Sequence, residues 1–385
     1  MAFADHIDMP PSISAEERAT RLAAFRTRMA QSSIDALVLT PGSNIRYFTG
    51  LAWGETERFV CAIVDANSIE FVCPRFESGS LVASVTVPMD SAAYWEEHED
   101  PYDLTASLIK KHGAKTIALD NNCSFHHVGA LIDAAKDTFV ERANALIAPM
   151  RARKSAAELA LMTAAKQITL EVHRKVFSEL SPGTKPSEVK TEIDRLHRAA
   201  GADNGSSFCA VQFAEATAYP HGVPGDPALG PGELILIDTG CTLDGYNSDI
   251  TRTYALDQVS DEIEQIWRIE KEAQAATFAA ARPGVPCENL DKAARRFLET
   301  NNLGPNYTLP GLPHRVGHGI GLDIHEGPYL VRGDQTPLAE GMCFSNEPMI
   351  VVPDAFGVRL EDHFHITKDG AAWFTEPQKS LYEPF

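Results

Sequence analysis

The sequence predicts two domains of different architecture: a smaller α/β domain over residues 1–150 and a larger α+β domain over residues 151–385. Three observations lead there. At 385 residues the chain is longer than a single hydrophobic core usually grows. In its first part, short apolar runs alternate with helical patterns, as α/β layers require. Beyond about residue 150, strands and helices are grouped instead of alternating, which favours a mostly antiparallel sheet with helices on one side.

Taken in order, Ser12 or Ser14 caps a helix over residues 14–31, in which Leu22, Phe25 and Met29 recur at helical spacing. Strand-like apolar runs follow at 36–39, 59–64, 69–72 and 116–119, with helical stretches near 103–111 and 127–135. Ser155 opens a long run of good helix formers that Pro182-Gly183 stops, and a second helix spans 186–200 before Gly201. The remainder reads as a strand at 207–212, a loop with His221, a β-hairpin, helices at 261–281 and 288–301, and then strands and loops to the end.

Composition narrows the function classes. A 44% hydrophobic and 23% charged chain, with 26 glycines and 24 prolines spread along it, is ordinary globular material. The formal charge of −19, with no basic stripe to offset it, argues against nucleic acid or an anionic membrane as partner. Seven scattered cysteines without a CxxC pair read as reduced thiols. The N-terminus has no apolar core of a signal peptide, and no run reaches membrane-spanning length. The expectation is a soluble, cytoplasmic protein.

The hairpin GELILIDTGCTLDGYNSDITRTY, residues 232–254, carries Asp238 and Asp249. Asp244-Gly245 is a two-residue turn signal. With that turn, Leu243 faces Tyr246 and Gly240 faces Asp249, so both aspartates leave one face, about 5 to 8 Å apart. Like charges that close repel unless a proton or cation lies between them. Downstream, HRVGHGIGLDIHEGP places His314, His318 and His325 among glycines that let the backbone approach a ligand. Glu347 and Glu361 then flank a turn at 353–357, and their even spacing puts both on one face of a second hairpin. Strands disfavour acidic residues, so two hairpins with paired carboxylates call for a reason. Four carboxylates with one imidazole suit two divalent ions, and the donor mix favours Mn, Fe, Co or Zn over Ca. Such a pair of ions activates water and polarises a carbonyl, which is hydrolytic chemistry.

The order DTG, SDITRT, GHGIGLDIHE, NEP and RLED resembles the pita-bread metallopeptidases, among them prolidase, aminopeptidase P and methionine aminopeptidase. The match runs from about residue 155 to 385, and SNIRYFTG at 43–50 resembles the creatinase/prolidase-type N-terminal domain that methionine aminopeptidases lack. The resemblance implies a pita-bread fold and two divalent ions, most commonly Mn2+. Asp238 would chelate one ion and Asp249 both; His318 and Glu347 would hold the second, with Glu361 bridging. It further implies that Glu347 shuttles protons, that His221 and His325 serve the scissile carbonyl, and that His314 lines the substrate pocket. Arg359, two residues before Glu361, would tether a ligand carboxylate or meet a substrate carboxylate. His363 and His365 are read as sheet positions only. The implied substrate is a small Xaa-Pro peptide and the implied assembly a homodimer. One departure stands out: the family tends to carry a small residue and a glycine in HGTGHG, and this chain has Arg315-Val316 in HRVGHG, a bulkier rim. The competing readings are a non-peptidase on the same fold, either a small-molecule C–N hydrolase or a dimethylsulfoniopropionate lyase, and a binding protein with a dead site. Retention of all five ligands speaks against each.

Overall fold

A computed structural model of the chain describes Ala4 and residues 6–385. The chain divides into two compact units: Ile13–Arg151, and Ala152–Phe385 together with the described residues before Ile13.

The smaller unit begins with α1 (Ala15–Gln31), whose N-cap is Ser14, accepting from the Glu17 amide. There follow β1 (Ala36–Leu39), α2 (Ser43–Thr49), β2 (Cys61–Val64), β3 (Ile69–Pro74), α3 (Ser78–Ser84), β4 (Ser91–Trp95), α4 (Pro101–Lys111), β5 (Thr116–Leu119), α5 (Phe125–Ala134) and β6 (Phe139–Arg142), and then α6 (Asn144–Ala152). One mixed sheet runs β4-β3-β2-β1-β5-β6. Pairs β1–β5, β5–β6 and β3–β4 are parallel, while β1–β2 and β2–β3 are antiparallel. The inner strands β1, β2 and β3 are buried throughout and correspond to apolar runs in the sequence. No strand is expected at β4 or β6 from the sequence: β6 is largely exposed, and β4, although residues 92–95 are apolar, is a short edge strand that is only partly buried.

The larger unit opens on α7 (Ala156–Phe177), started by a full capping box between Ser155 and Glu158. It continues with α8 (Pro186–Ala199), β7 (Ser206–Phe213), β8 (Ile235–Leu243), β9 (Tyr246–Asn247), β10 (Ile250–Tyr254), α9 (Asp261–Ala280), α10 (Glu288–Thr300), β11 (Gly317–Gly319), β12 (Glu326–Leu330), β13 (Cys343–Asn346), β14 (Met349–Val352), β15 (Phe356–Arg359), β16 (Asp362–Ile366) and β17 (Ala371–Trp373). The strands form β10-β8-β7 with β9 on β8, a five-stranded sheet β12-β11-β13-β16-β17, and the hairpin β14-β15. Every one of these pairings is antiparallel, the α+β arrangement the grouped elements imply. Phe344, Phe364, Met349 and Val358 from the strands pack in one apolar cluster with Ala273, Leu290 and Ala294 of α9 and α10. Full burial of each such large side chain contributes roughly 1.5–3 kcal/mol.

Two histidines stitch α7 and α8 to the sheet. His173 Nε2–H donates to the Ile250 carbonyl at 3.0 Å, and His197 lies between Thr169 and Ser206. Burial, with Arg252 nearby, pushes His173 down to about 3, and burial pushes His197 down to about 4. A histidine kept neutral in the fold contributes its full share above the unfolded value near 6.5 and loses it as pH falls toward the folded value. The expected loss is about 1.4 kcal/mol per pH unit for each histidine. His173→Gln keeps a donor and cannot titrate. Urea unfolding of wild type and this variant at pH 7.5 and 5.0 is expected to show the wild-type advantage shrinking by about 2 kcal/mol at the lower pH. A difference independent of pH would contradict the neutral-histidine assignment.

Candidate active site

The first hairpin has the register that its turn dictates. Asp244 and Gly245 have φ of 46° and 76°, the two positive values of a type I′ turn. Leu243 pairs with Tyr246, Thr242 with Asn247, Thr239 with Ile250 and Asp238 with Thr251, one unbroken register that sets Gly240 opposite Asp249. Regular strand geometry lapses at Ser248 and Asp249, where Ser248 Oγ turns in to accept the Cys241 amide at 2.9 Å. A Cβ on Gly240 would lie 1.9 Å from the Ser248 carbonyl oxygen, so only glycine allows this approach. Asp249 is thereby carried inward, buried to 4% exposure.

The second carboxylate pair departs from expectation. Glu347 and Glu361 do face each other, since Asn346 pairs with Asp362 and Met349 with Arg359. They stand, however, in a break between β13/β14 and β15/β16 rather than within one hairpin. Pro348 has no N–H to give the ladder. The Glu347 amide donates instead to the Val316 carbonyl at 2.8 Å, and the Glu361 amide to the Thr251 carbonyl at 3.1 Å. These diverted bonds tie one glutamate to the histidine segment and the other to the aspartate hairpin.

Neighbouring groups then occupy one atom of four of the five ligand candidates, Glu361, Asp238, Glu347 and His318. Thr251 Oγ1 donates to Glu361 Oε2 at 2.7 Å and accepts from Arg359 Nε at 3.0 Å. Arg359 Nη2 donates to Asp238 Oδ2, and Ser345 Oγ donates to Glu347 Oε1 at 3.0 Å. His318 Nδ1–H is taken by the Gly319 carbonyl at 3.0 Å, which leaves Nε2 facing Glu347 Oε1 at 3.0 Å and Asp249 Oδ2 at 3.9 Å. Asp238 Oδ1, Asp249 Oδ1, Glu361 Oε1 and His318 Nε2 are buried without a hydrogen-bond partner. Ligand atoms of His318, Glu347 and Glu361 lie within 4.8 Å of one another, as do those of Asp249, His318 and His325, and those of Asp249, Glu361 and His363. Asp238 enters none of these triples and is held beside them by Arg359.

Such a set cannot keep all its charge alone. Burial first, and then the facing carboxylates, push Asp249 and Glu361 well above the usual carboxylate range. Glu347 is held low: burial opposes its charge, and His318, His314 and Arg359 outweigh it. Unpartnered oxygens on Asp249 and Glu361 beside the unpartnered His318 Nε2 are what a pair of divalent cations fits, and no CxxC pair competes for them.

Of these groups Glu347 and His318 line a cavity of about 450 Å³, together with Arg359, His221, His314 and His325. His221 is exposed. His325 meets His318 edge-on, the ring centroids 4.2 Å apart, and burial together with His318 brings it down to about 4. His314 Nε2 is buried and unpartnered, and Arg295, itself paired with Asp291 at 2.9 Å, holds the His314 carbonyl at 2.6 Å. Pro220, Pro313 and Arg315 complete the lining.

Sequence reasoning passes over several residues that build this site. Thr251, Ser345 and the buried Arg252–Asp362 pair, 2.6 Å apart, carry no motif of their own, although Thr251 and Arg252 sit inside SDITRT. His363, read as a sheet position, is fully buried with both ring nitrogens unpartnered and Nε2 4.0 Å from Glu361 Oε1. Its i, i+2 spacing from Glu361 on one strand face is the signal that could have found it.

The chain is similar to known proteins along most of its length. Residues 160–368 match Metallopeptidase family M24, and residues 21–153 match the Creatinase/Prolidase N-terminal domain. The Xaa-Pro dipeptidase of Lactobacillus helveticus is 31% identical over 367 residues, covering 92% of this chain and 96% of the relative. The crystal structure of dipeptidase PepE from Mycobacterium ulcerans superposes with a TM-score of 0.87 at 32% identity, over 97% of this chain and 100% of the other. Prolidase from Thermococcus sibiricus superposes with a TM-score of 0.88 at 26% identity, over 96% and 99% of the two chains.

Thr251→Val removes the hydroxyl that holds Glu361 and Arg359 while keeping the β-branched shape. The expected result is a 10- to 100-fold weaker metal affinity, read by competition with a chromogenic chelator. Unchanged affinity would show that Glu361 needs no such support.

Proposed function

We propose, for a chain that belongs to metallopeptidase family M24, that it hydrolyses the peptide bond preceding proline in Xaa-Pro dipeptides and short Xaa-Pro peptides, with two divalent ions. The observation that carries this reading is the clustering of buried carboxylate and imidazole groups, with unpartnered atoms on Asp249, Glu361 and His318, beside a cavity that Glu347 and His318 line. The preference for proline, and for dipeptides over longer chains, is supported by relatives named Xaa-Pro dipeptidase and prolidase that align nearly end to end. No relative of this kind favours the C–N hydrolase or lyase reading. Manganese is our choice of metal, with Co, Zn and Fe as the other candidates. A cytoplasmic homodimer completes the proposal; all seven cysteines are free thiols and five are buried, which supports a reducing compartment. Among the described residues no helix is long and apolar enough to cross a membrane.

In this reading Asp238, Asp249, His318, Glu347 and Glu361 hold the ions. When bound, the ions lower the pKa of the attacking water and polarise the scissile carbonyl. Glu347, held ionised by its neighbours, takes the proton of the water and returns it to the leaving proline nitrogen. His325, held neutral, donates its N–H toward the oxygen that gains charge, and His221 lines the same cavity. His314 offers its unpartnered Nε2 to the substrate backbone, and Arg359 holds Asp238 in place.

Chelator-stripped protein assayed on Xaa-Pro dipeptides and Xaa-Pro-Yaa tripeptides is expected to be inactive and to recover with Mn2+. Full activity after stripping would defeat the dinuclear reading, and inactivity on every proline peptide would move the assignment to a non-peptidase. Asp249→Ala is expected to lower both rate and bound metal, because one carboxylate serves both ions. Two ions per chain retained in that variant, counted by plasma emission, would contradict its bridging role.

A further inference from the structure

The cavity wall holds one cation that the metal centre does not use. Arg315 is half-buried, and its Cζ lies 4.4 Å from the centroid of the Tyr329 ring. Stacking of this kind fixes the plane of the guanidinium and leaves its edge donors free. Tyr329 is the register partner of His318, so both rings leave the same face of the β11–β12 pair. The Val316 amide donates to the Leu330 carbonyl at 3.2 Å, keeping Arg315 alongside. The stacked guanidinium thus stands in the wall that also carries His318.

Its partner is what the protein leaves out. Among the described residues no carboxylate is within ion-pair distance of Arg315, although the chain carries a formal charge of −19. The other guanidinium of the cavity, Arg359, is committed to Asp238. A fixed planar cation with unused donors, facing a cavity of dipeptide size, is a receptor for a carboxylate.

We propose that Arg315 receives the free α-carboxylate of the substrate's C-terminal residue and so makes the site selective for dipeptides. The inference rests on the peptidase reading above and adds to it the residue that reads substrate length. A tripeptide brings a neutral amide to the same place, and the guanidinium then stays half-buried with no counter-charge. The bulky rim that separates this chain from the HGTGHG pattern acquires a reason: the side chain that narrows the rim also recognises the end of the substrate.

The test compares Ala-Pro with Ala-Pro amide, which differ in that charge alone, on Mn2+-loaded wild type, Arg315→Gln and Arg315→Lys. Wild type is expected to prefer the acid by about 10- to 100-fold in kcat/KM, as charge-assisted hydrogen bonds allow. In Arg315→Gln that ratio falls toward one, with the loss in KM, and Arg315→Lys recovers part of it. An unchanged ratio in Arg315→Gln, or an equal loss on both compounds, would overturn the assignment. Failure of the peptidase reading looks different, because wild type would then cleave neither compound. In that event calorimetric titration decides: tighter binding of the acid than of the amide, lost in Arg315→Gln, retains the carboxylate site, and equal binding removes it.

Discussion

Four carboxylates gathered out of water set the terms for the larger unit. Asp249 and Glu361 are 4% and 2% exposed, and their own neighbours push them toward protonation. An isolated charge so placed is several kcal/mol unfavourable unless it is paired. The surroundings meet that cost in two ways. Donors such as Thr251, Ser345 and Arg359 take one oxygen of a carboxylate, and the remaining oxygens face a common point that divalent cations suit.

Holding those oxygens in place falls to the backbone. Regular strands would carry successive side chains to opposite faces, so a centre that draws on several segments needs its ladders broken where the ligands stand. Gly240 makes room for Ser248 to fold in and present Asp249. Pro348 interrupts the second ladder, and the amides of Glu347 and Glu361 bind Val316 and Thr251 instead. Arg252 then fastens this junction from behind, donating to the Glu361 carbonyl at 2.9 Å and pairing with Asp362 where both side chains are inaccessible. Removing either partner of such a pair costs about 3–5 kcal/mol, because the other is left charged and alone. The support of the site is thus also part of the stability of the sheet.

The cavity above the centre divides into regions of different electrostatic character. Its floor carries Glu347 and His318, and its permanent positive charges are Arg359, spent on Asp238, and Arg315, stacked on Tyr329. A peptide offers a polar carbonyl in its middle and a charge at its end, so floor and wall differ in the way the substrate does.

Much of this was legible in the sequence. Asp244-Gly245 dictated the hairpin register, and with it the facing of Asp238 and Asp249, because a type I′ turn permits only one alignment of its strands. Capping residues located α1 and α7, and alternating apolar runs located the inner strands. Edge strands β4 and β6 were not legible, since their burial is slight. The even spacing of Glu347 and Glu361 set them opposite each other but could not show the ladder breaking between them, which depends on where Val316 and Thr251 come to lie. Likewise Thr251, Ser345, Arg252 and His363 acquire meaning only beside their partners. By itself the sequence supplied the candidate ligands and the chemistry they suggest, because residue types and turn geometry are local. Tertiary structure decided which oxygen of each candidate ligand is free, which arginine is spent and which is available, because those depend on contacts between segments up to 121 residues apart.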